Sequence, residues 1–338
     1  MVGTLGRLGQ LAGLTIAGGL AHLSGFPLGW MLGPAALGLV CACLGRPIGS
    51  DGRVGDVGRA ILGAAVGGTL SGGHFLVFVD APALLLIVLI YVLLSGLVGS
   101  WWLRSRCGWS PATAWFAALP GGLSEMVELA KQQPDAKPHW VALSHTLRVF
   151  WLVLGAATLT ALLSDFRFSP AAFGTVSGAS LVLLAISVLL GLWVGRVLSL
   201  PAPSVIGPLC VAAVLALSLE LRAVPNEGLV LFAQFAIGWS LAHRFMGSSA
   251  TQVRRCVVHV AGLLAALVPI WLAAVVAAQW AAGGTFQVWT LGLAPGGQAE
   301  MALLALLLGA APAVVVALHL VRVLMITASA GWLYRRFG

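Results

Sequence analysis

Long apolar runs alternate with short connections that contain charges, proline or glycine along the whole chain. Apolar runs of 16 or more residues bounded by charge, proline or glycine predict helices that lie in a lipid bilayer, although some runs are shorter than the roughly 20 residues needed to span it. Unpaired backbone groups are too costly in lipid, so every run is predicted to be helical. The twelve runs lie near residues 8–23, 27–44, 57–72, 81–103, 111–131, 140–163, 174–195, 201–218, 228–246, 256–280, 288–309 and 312–333.

Composition supports a membrane environment. Apolar residues make up 60% of the 338 residues and charged residues 8%, against roughly 25% charged residues in an average soluble domain. The formal charge of +8 comes from Lys and Arg that stand singly or in pairs between apolar runs, which is typical of charges that set membrane topology. We therefore expect the bilayer, and not nucleic acid, as the partner of these charges.

The first six runs match the last six at their special residues, with an offset of 174 or 175 positions. We infer two tandem homologous halves, residues 1–168 and 169–338. The matched pairs are Pro27 with Pro201, Gly33 with Gly207, Pro34 with Pro208, Gly63 with Gly238, Pro120-Gly121-Gly122 with Pro295-Gly296-Gly297, Glu125 with Glu300, His145 with His319, and Arg148 with Arg322.

The doubled Gly-Pro stretch and the doubled Pro-Gly-Gly-x-x-Glu-Met motif resemble the membrane protein AbrB duplication family, whose members are also labelled regulators or ammonia monooxygenases. The resemblance covers nearly the whole chain. It implies an inner-membrane location, a role in regulating gene expression, and a distant likeness to cation-antiporter and anion-transporter folds. It implies no particular substrate.

The distribution of positive charges favours inverted halves. If each Pro-Gly-Gly segment dips into the membrane and returns, each half has five spans, and both termini lie in the cytoplasm. Fourteen Lys and Arg then fall on the cytoplasmic face, and only Arg167 and Arg222 fall on the other, as positive-inside sorting predicts. A broken helix that crosses the membrane would instead give six spans and parallel halves. The sequence thus predicts an all-α polytopic membrane protein with two inverted repeats, each with a broken or re-entrant segment.

The two Pro-Gly-Gly stretches are the candidate binding site. Proline lacks a backbone donor and glycine tolerates open backbone, so both stretches predict interrupted helices. Freed carbonyls and amides at bilayer depth serve as ligands in inverted-repeat transporters, and the helices that follow present N-terminal amides to anions. A kink that permits close helix packing is the alternative.

Charged residues flank both breaks. Glu125 and Glu300 follow them by one turn, and each His-Arg pair lies on one helical face. We expect either a structural Glu–Arg ion pair, or a functional arrangement in which Glu carries a proton or cation and Arg anchors an anionic group. The predicted binding residues are Pro120, Gly121, Gly122, Ser124, Glu125, His145, Arg148, Pro295, Gly296, Gly297, Glu300, His319 and Arg322.

These residues predict a secondary transporter of a small anionic or zwitterionic solute, driven by an ion gradient because no nucleotide-binding motif is present. A membrane-embedded regulator or sensor is the main alternative, and a membrane monooxygenase ranks third because only two histidines repeat at depth. We expect no enzymatic activity, cofactor or metal, and we leave a homo-oligomer open.

Overall fold

The computed structural model describes residues 4–49, 53–69, 81–163, 177–219 and 225–337, and this part of the chain consists of helices and their connections, without strands. The helices are α1 Thr4–Leu23, α2 Gly29–Cys43, α3 Arg53–Gly67, α4 Ala83–Cys107, α5 Pro111–Ala118, α6 Leu123–Lys131, α7 Pro138–Leu163, α8 Gly178–Val197, α9 Pro203–Leu219, α10 Glu227–His243, α11 Ala250–Ala282, α12 Phe286–Leu293, α13 Gln298–Leu307 and α14 Pro312–Phe337.

Each predicted apolar run is helical in the described residues, which confirms an all-α protein. Five of the described helices are long and apolar enough to cross a membrane, so the chain is a polytopic membrane protein. They comprise the whole of α4, α8 and α11 and stretches of α7 and α14. The two Pro-Gly-Gly runs differ from the others because each is split into two short helices, α5 with α6 and α12 with α13.

Local sequence explains where several helices begin and end. Proline occupies the first position of α5, α7, α9 and α14, where its missing N–H is not needed. Asn226 caps α10 by accepting a hydrogen bond from the Leu229 amide at 2.8 Å. Gly108 ends α4 in a left-handed conformation (φ 66°), and its amide donates to the Leu103 carbonyl.

The chain forms two compact units, and each draws helices from both sequence halves. The first unit comprises Met1–Ser71, Val153–Val253 and Leu306–Gly309, and so contains α1 to α3 and α8 to α10. The second comprises Gly72–Leu152, Arg254–Ala305 and Ala310–Gly338, with α4 to α6, the first part of α7, most of α11, α12, most of α13, and α14. The halves therefore interleave.

Within the first unit, the two halves pack on each other through equivalent glycines. A Cβ at Gly63 would collide with the backbone of Val205 on α9, and a Cβ at Gly238 would collide with the backbone of Met31 on α2. Gly63 and Gly238 are matched at an offset of 175 residues, and Met31 and Val205 are 174 residues apart. The same close contact therefore occurs twice, with the halves exchanged.

The core of the second unit is built largely from α4, α5, α11 and α14. Trp115 and Phe116 on α5 are fully buried there, together with Leu263 and Leu267 on α11. Every predicted binding residue of the sequence analysis lies in this unit. Arg167, Arg222 and the boundary between residues 168 and 169 lie outside the described residues, and the inverted membrane orientation stays a prediction.

Candidate functional site

The first interrupted segment returns to the place where it began. At its start, the Ser110 hydroxyl donates to the Asp135 carbonyl at 2.7 Å, and the Ala112 amide donates to the Asp135 carboxylate at 3.2 Å. At its end, the Lys137 amide donates to the Thr113 hydroxyl at 2.8 Å. Residues 110–113 and 135–137 are thus held together, so the chain between them doubles back on itself.

The second segment has the same course. His319 on α14 contacts Leu291, and Arg322 contacts Ala294, so α12 and the first part of α14 run side by side in the same direction. His145 and Arg148 on α7 contact Phe116 and Leu119 in the same way along α5. Two helices joined by a short segment can run parallel only if that segment doubles back. α6, between α5 and α7, and α13, between α12 and α14, are therefore return arms.

Both segments break at the residue before proline. Leu119 and Ala294 have ψ angles of 133° and 131°, the extended conformation that a following proline favours. Pro120 and Pro295 are buried, and the return arms begin after Gly122 and Gly297. The interruption predicted from Pro-Gly-Gly is therefore present in both halves.

Arg148 caps the buried C-terminal end of α5. Its Nη1 donates to the carbonyls of Ala117 (3.3 Å) and Ala118 (3.1 Å), and its Nη2 donates to the carbonyl of Leu119 (3.0 Å). The side chain is 2% exposed. The last carbonyls of a helix lack intrahelical partners and carry the negative end of the helix dipole, so a guanidinium group there satisfies both needs.

Arg322 closes α12 in the same way. Its Nη1 donates to the carbonyls of Leu293 (3.4 Å) and Ala294 (2.6 Å), and its Nη2 donates to the carbonyl of Gly296 (3.4 Å). It is also 2% exposed. The sequence repeat between Arg148 and Arg322 thus corresponds to a repeated hydrogen-bond arrangement.

Each histidine orients the arginine one turn away. Arg148 Nη2 donates to His145 Nδ1, and Arg322 Nη2 donates to His319 Nδ1, both at 2.8 Å. The opposite ring nitrogens face the carbonyls of Phe116 (2.9 Å) and Leu291 (3.0 Å). Because guanidinium can only donate and a carbonyl can only accept, both imidazoles are neutral and carry their proton on Nε2.

The expected Glu–Arg ion pair is wrong. In the described residues the ion pairs join Arg59 with Asp56 and Lys131 with Glu128, and neither Arg148 nor Arg322 takes part. The physical reason is that the helix breaks leave buried carbonyls beside both guanidinium groups. These carbonyls take the donors that a carboxylate would otherwise have bound.

The two glutamates instead fold back onto the glycines that precede their helices. Glu125 and Glu300 occupy the third positions of α6 and α13, in the positive field of the helix N-terminus. A Cβ at Gly122 would collide with the Glu125 carboxylate, and a Cβ at Gly297 would collide with that of Glu300. The second glycine of each motif therefore makes room for the carboxylate three residues later.

The two return arms have different surroundings. On α6, Ser124, Glu128 and Lys131 are exposed along one face and Glu125 is half-buried. On α13, the equivalents of Ser124 and Glu128 are Ala299 and Leu303, which are buried. Glu300 itself is only 4% exposed. The exposed Glu128 pairs with Lys131 at 2.9 Å and lies away from the break.

Tyr91 and Ser95 on α4 are site residues that sequence reasoning missed. Both are buried, and neither hydroxyl group makes a hydrogen bond of good geometry. The Tyr91 side chain is close enough to interact electrostatically with both Arg148 and Arg322. Tyr91 has no counterpart in the second half, where the positions 174 and 175 residues later are alanines, so the repeat could not reveal it.

A groove of about 500 Å³ also lies in the second unit, away from the breaks. It contains none of the predicted binding residues and is lined by Leu97, Ser100, Trp101, Arg104, Ser105 and Trp115. In the described part of the chain, no three His, Cys, Asp or Glu side chains are placed so that they could hold a metal ion.

Comparison with known proteins gives a family and no activity. The family described as "Transition state regulatory protein AbrB" matches residues 30–338. The "Uncharacterized protein YhjN" of Bacillus subtilis (strain 168) is 28% identical, over 95% of this chain and 91% of its own length. The "Putative regulator AbrB" of Escherichia coli (strain K12) is 30% identical, over 65% of this chain and 64% of its own length. No solved structure matches the chain.

Proposed function

The chain belongs to the AbrB family, and from this membership and the geometry of its two doubled-back segments we propose that it is a secondary transporter of a small anionic or zwitterionic solute. An ion gradient would drive it, and the site would open alternately to the two sides of the membrane, which we take to be a bacterial-type inner membrane.

The observation that carries this proposal is that both breaks are held by buried, charged side chains. Irregular backbone is tolerated at membrane depth only when it is buried in protein or lines a wet cavity. A kink for close packing needs no arginine, yet Arg148 and Arg322 are both buried at the open helix ends. Buried ionisable residues in membrane proteins mark ion and substrate paths.

We assign the coupling role to Glu300. It is nearly fully buried and makes no ion pair in the described residues, and a buried acidic residue inside a membrane protein is a natural carrier for a proton or a cation. Glu125 has the same position in its own loop but is only half-buried and lies beside the exposed face of α6. The two carboxylates thus differ in how strongly a bound cation would be favoured.

The test is solute-dependent proton movement in proteoliposomes that contain a trapped pH indicator, with a panel of small organic acids and amino acids added outside. We expect at least one solute to move protons with the wild type, and Glu300→Gln to abolish the signal. Glu128→Gln is the matched control, because Glu128 is exposed and paired with Lys131. No response to any solute, or equal responses from wild type and Glu300→Gln, would refute the assignment.

A regulatory role is the second candidate, favoured by the family description and by the name of the Escherichia coli relative. A transporter that changes a metabolite level would alter expression indirectly. Expression profiles of a deletion strain complemented with wild type or Glu300→Gln separate the two: a direct regulator keeps its effect in the variant, and a transporter loses it.

A further inference from the structure

We propose that Tyr91 is a direct ligand for a single carboxylate group, which binds beside Arg148 and Arg322 in the second unit. The inference rests on the proposed function and deepens it, since it names a new ligand residue and the chemical class of the solute.

The first step is an excess of unused donors. In both arginines the Nη atoms donate to carbonyls and histidine, whereas the Nε–H groups are buried and have no partner. The Tyr91 hydroxyl is also buried, on a side chain that is 1% exposed; it lies beside Ser95, but the two hydroxyl groups make no hydrogen bond of good geometry. A buried donor without a partner costs about 1–3 kcal/mol, so donors of this kind near one another indicate a missing acceptor.

The second step is proximity. Tyr91 packs in the same core cluster as Leu119 at the first break and Leu318 on α14. Its side chain is within electrostatic range of Arg148 and Arg322, and the two guanidinium groups are within range of each other. α4 approaches the first break closely, because a Cβ at Gly96 would lie 2.9 Å from the Leu119 side chain. Tyr91 is therefore in the neighbourhood of both helix breaks and belongs to neither doubled-back segment.

The third step is charge. Two guanidinium groups carry two positive charges, and the C-termini of α5 and α12 offset about half a unit charge each. Glu125 and Glu300 lie against the N-termini of their own return arms and make no ion pair with either arginine. About one positive charge is left uncompensated at the arginines, which suits a monoanion.

The fourth step is the number of donors. Two Nε–H groups and one phenol hydroxyl give three hydrogen-bond donors. An ionised carboxylate has two oxygens with about four acceptor sites and can accept all three. Hydrogen bonds of this type, between donors and an ionised acceptor, are about twice as strong as neutral ones.

The chain offers a direct probe because it contains only two tyrosines, Tyr91 and Tyr334. In Tyr334→Phe labelled with 3-fluorotyrosine, the single fluorine resonance comes from Tyr91. Sodium acetate is the probe anion, added to the purified full chain at constant ionic strength, and acetamide is its neutral analogue. We expect a saturable shift with acetate and none with acetamide. A resonance that acetate leaves unchanged, or that acetamide shifts equally, overturns the proposal.

Thermal unfolding provides the second measurement. Acetate should raise the unfolding midpoint of wild type and of Tyr334→Phe by the same amount. In Tyr91→Phe the apparent dissociation constant for acetate should rise about tenfold or more, because one hydrogen bond to a charged group is lost. Without acetate, Tyr91→Phe should be as stable as wild type or more stable, because the removed hydroxyl makes no hydrogen bond of good geometry. A structural hydroxyl would instead lower the midpoint without acetate. Stabilisation by chloride but not acetate overturns the assignment.

The outcome is separable from that of the proposed function. Acetate binding that depends on Tyr91, in a protein that moves no solute, refutes transport and leaves the carboxylate site. Solute-driven proton movement that is the same in Tyr91→Phe and wild type refutes the role of Tyr91 and leaves transport.

Discussion

The substitution Gly297→Ala tests why the second glycine of the motif is needed. The backbone of Gly297 is not in the left-handed region, so alanine is conformationally allowed there. Its Cβ, however, would occupy the position of the Glu300 carboxylate. The carboxylate must then move away from the start of α13, in surroundings where only 4% of Glu300 is exposed.

The magnitude follows from two costs. An added methyl group in a packed interior costs about 1–3 kcal/mol, and a carboxylate that leaves a helix N-terminus loses about 0.3–1 kcal/mol. We therefore expect Gly297→Ala to lower the stability by roughly 1–4 kcal/mol, offset in part by about 0.4–1 kcal/mol from the stiffer unfolded chain. Thermal unfolding of the full chain in detergent, followed by tryptophan fluorescence, should show a midpoint several degrees lower.

Gly296→Ala is the matched control. A Cβ at Gly296 would lie 3.4 Å from Met301 and 3.6 Å from Leu152, which is ordinary van der Waals contact. We expect this variant to be as stable as wild type or slightly more stable. In a Glu300→Ala background, Gly297→Ala should lose most of its effect, because the carboxylate is gone. Equal effects of the two glycine substitutions, or an undiminished effect of Gly297→Ala in that background, would refute the carboxylate contact.

The remaining predictions concern the arginine caps and the topology. Arg322→Gln removes donors to three carbonyls, two of them buried, and should destabilise the protein by at least about 2 kcal/mol. Arg335→Gln, at an exposed position, should change stability by less than about 1 kcal/mol, and equal midpoints of the two variants would contradict the capping role. In a cysteine-free background, Ser105→Cys and Gln132→Cys should react with an impermeant thiol reagent from one side of the membrane and Ala281→Cys from the other. Labelling of all three from the same side would refute inverted halves.

Repeated residues made much of the fold and part of the site predictable. The twelve apolar runs correspond to the described helices, and the doubled Pro-Gly-Gly motif located both breaks. Glu125 and Glu300 were identified because they repeat at one offset. Their partners could not be identified, since the sequence shows which charges are present and not which carbonyls a break leaves open. The sequence therefore predicted an ion pair between Arg148 and a carboxylate, whereas the Arg148 side chain caps the C-terminus of α5.

Two further features left no signal in the sequence. Tyr91 is not repeated, so a comparison of the two halves does not identify it. Its buried hydroxyl, which makes no hydrogen bond of good geometry, can be recognised only from the packing of α4 against the breaks. The exchange of helices between halves was equally hidden. Gly63 and Gly238 indicated close packing, but an offset between two glycines does not say which helix each one contacts.

The reciprocal contacts of Gly63 and Gly238 bear on how the protein is made. When the ribosome has finished α3, the surface of Gly63 still lacks α9, which has not yet been synthesised. The N-terminal portion must wait in the membrane, incompletely assembled, until translation is far advanced. For the same reason, an ancestor with a single copy of the unit could have completed its packing only by pairing with a second molecule.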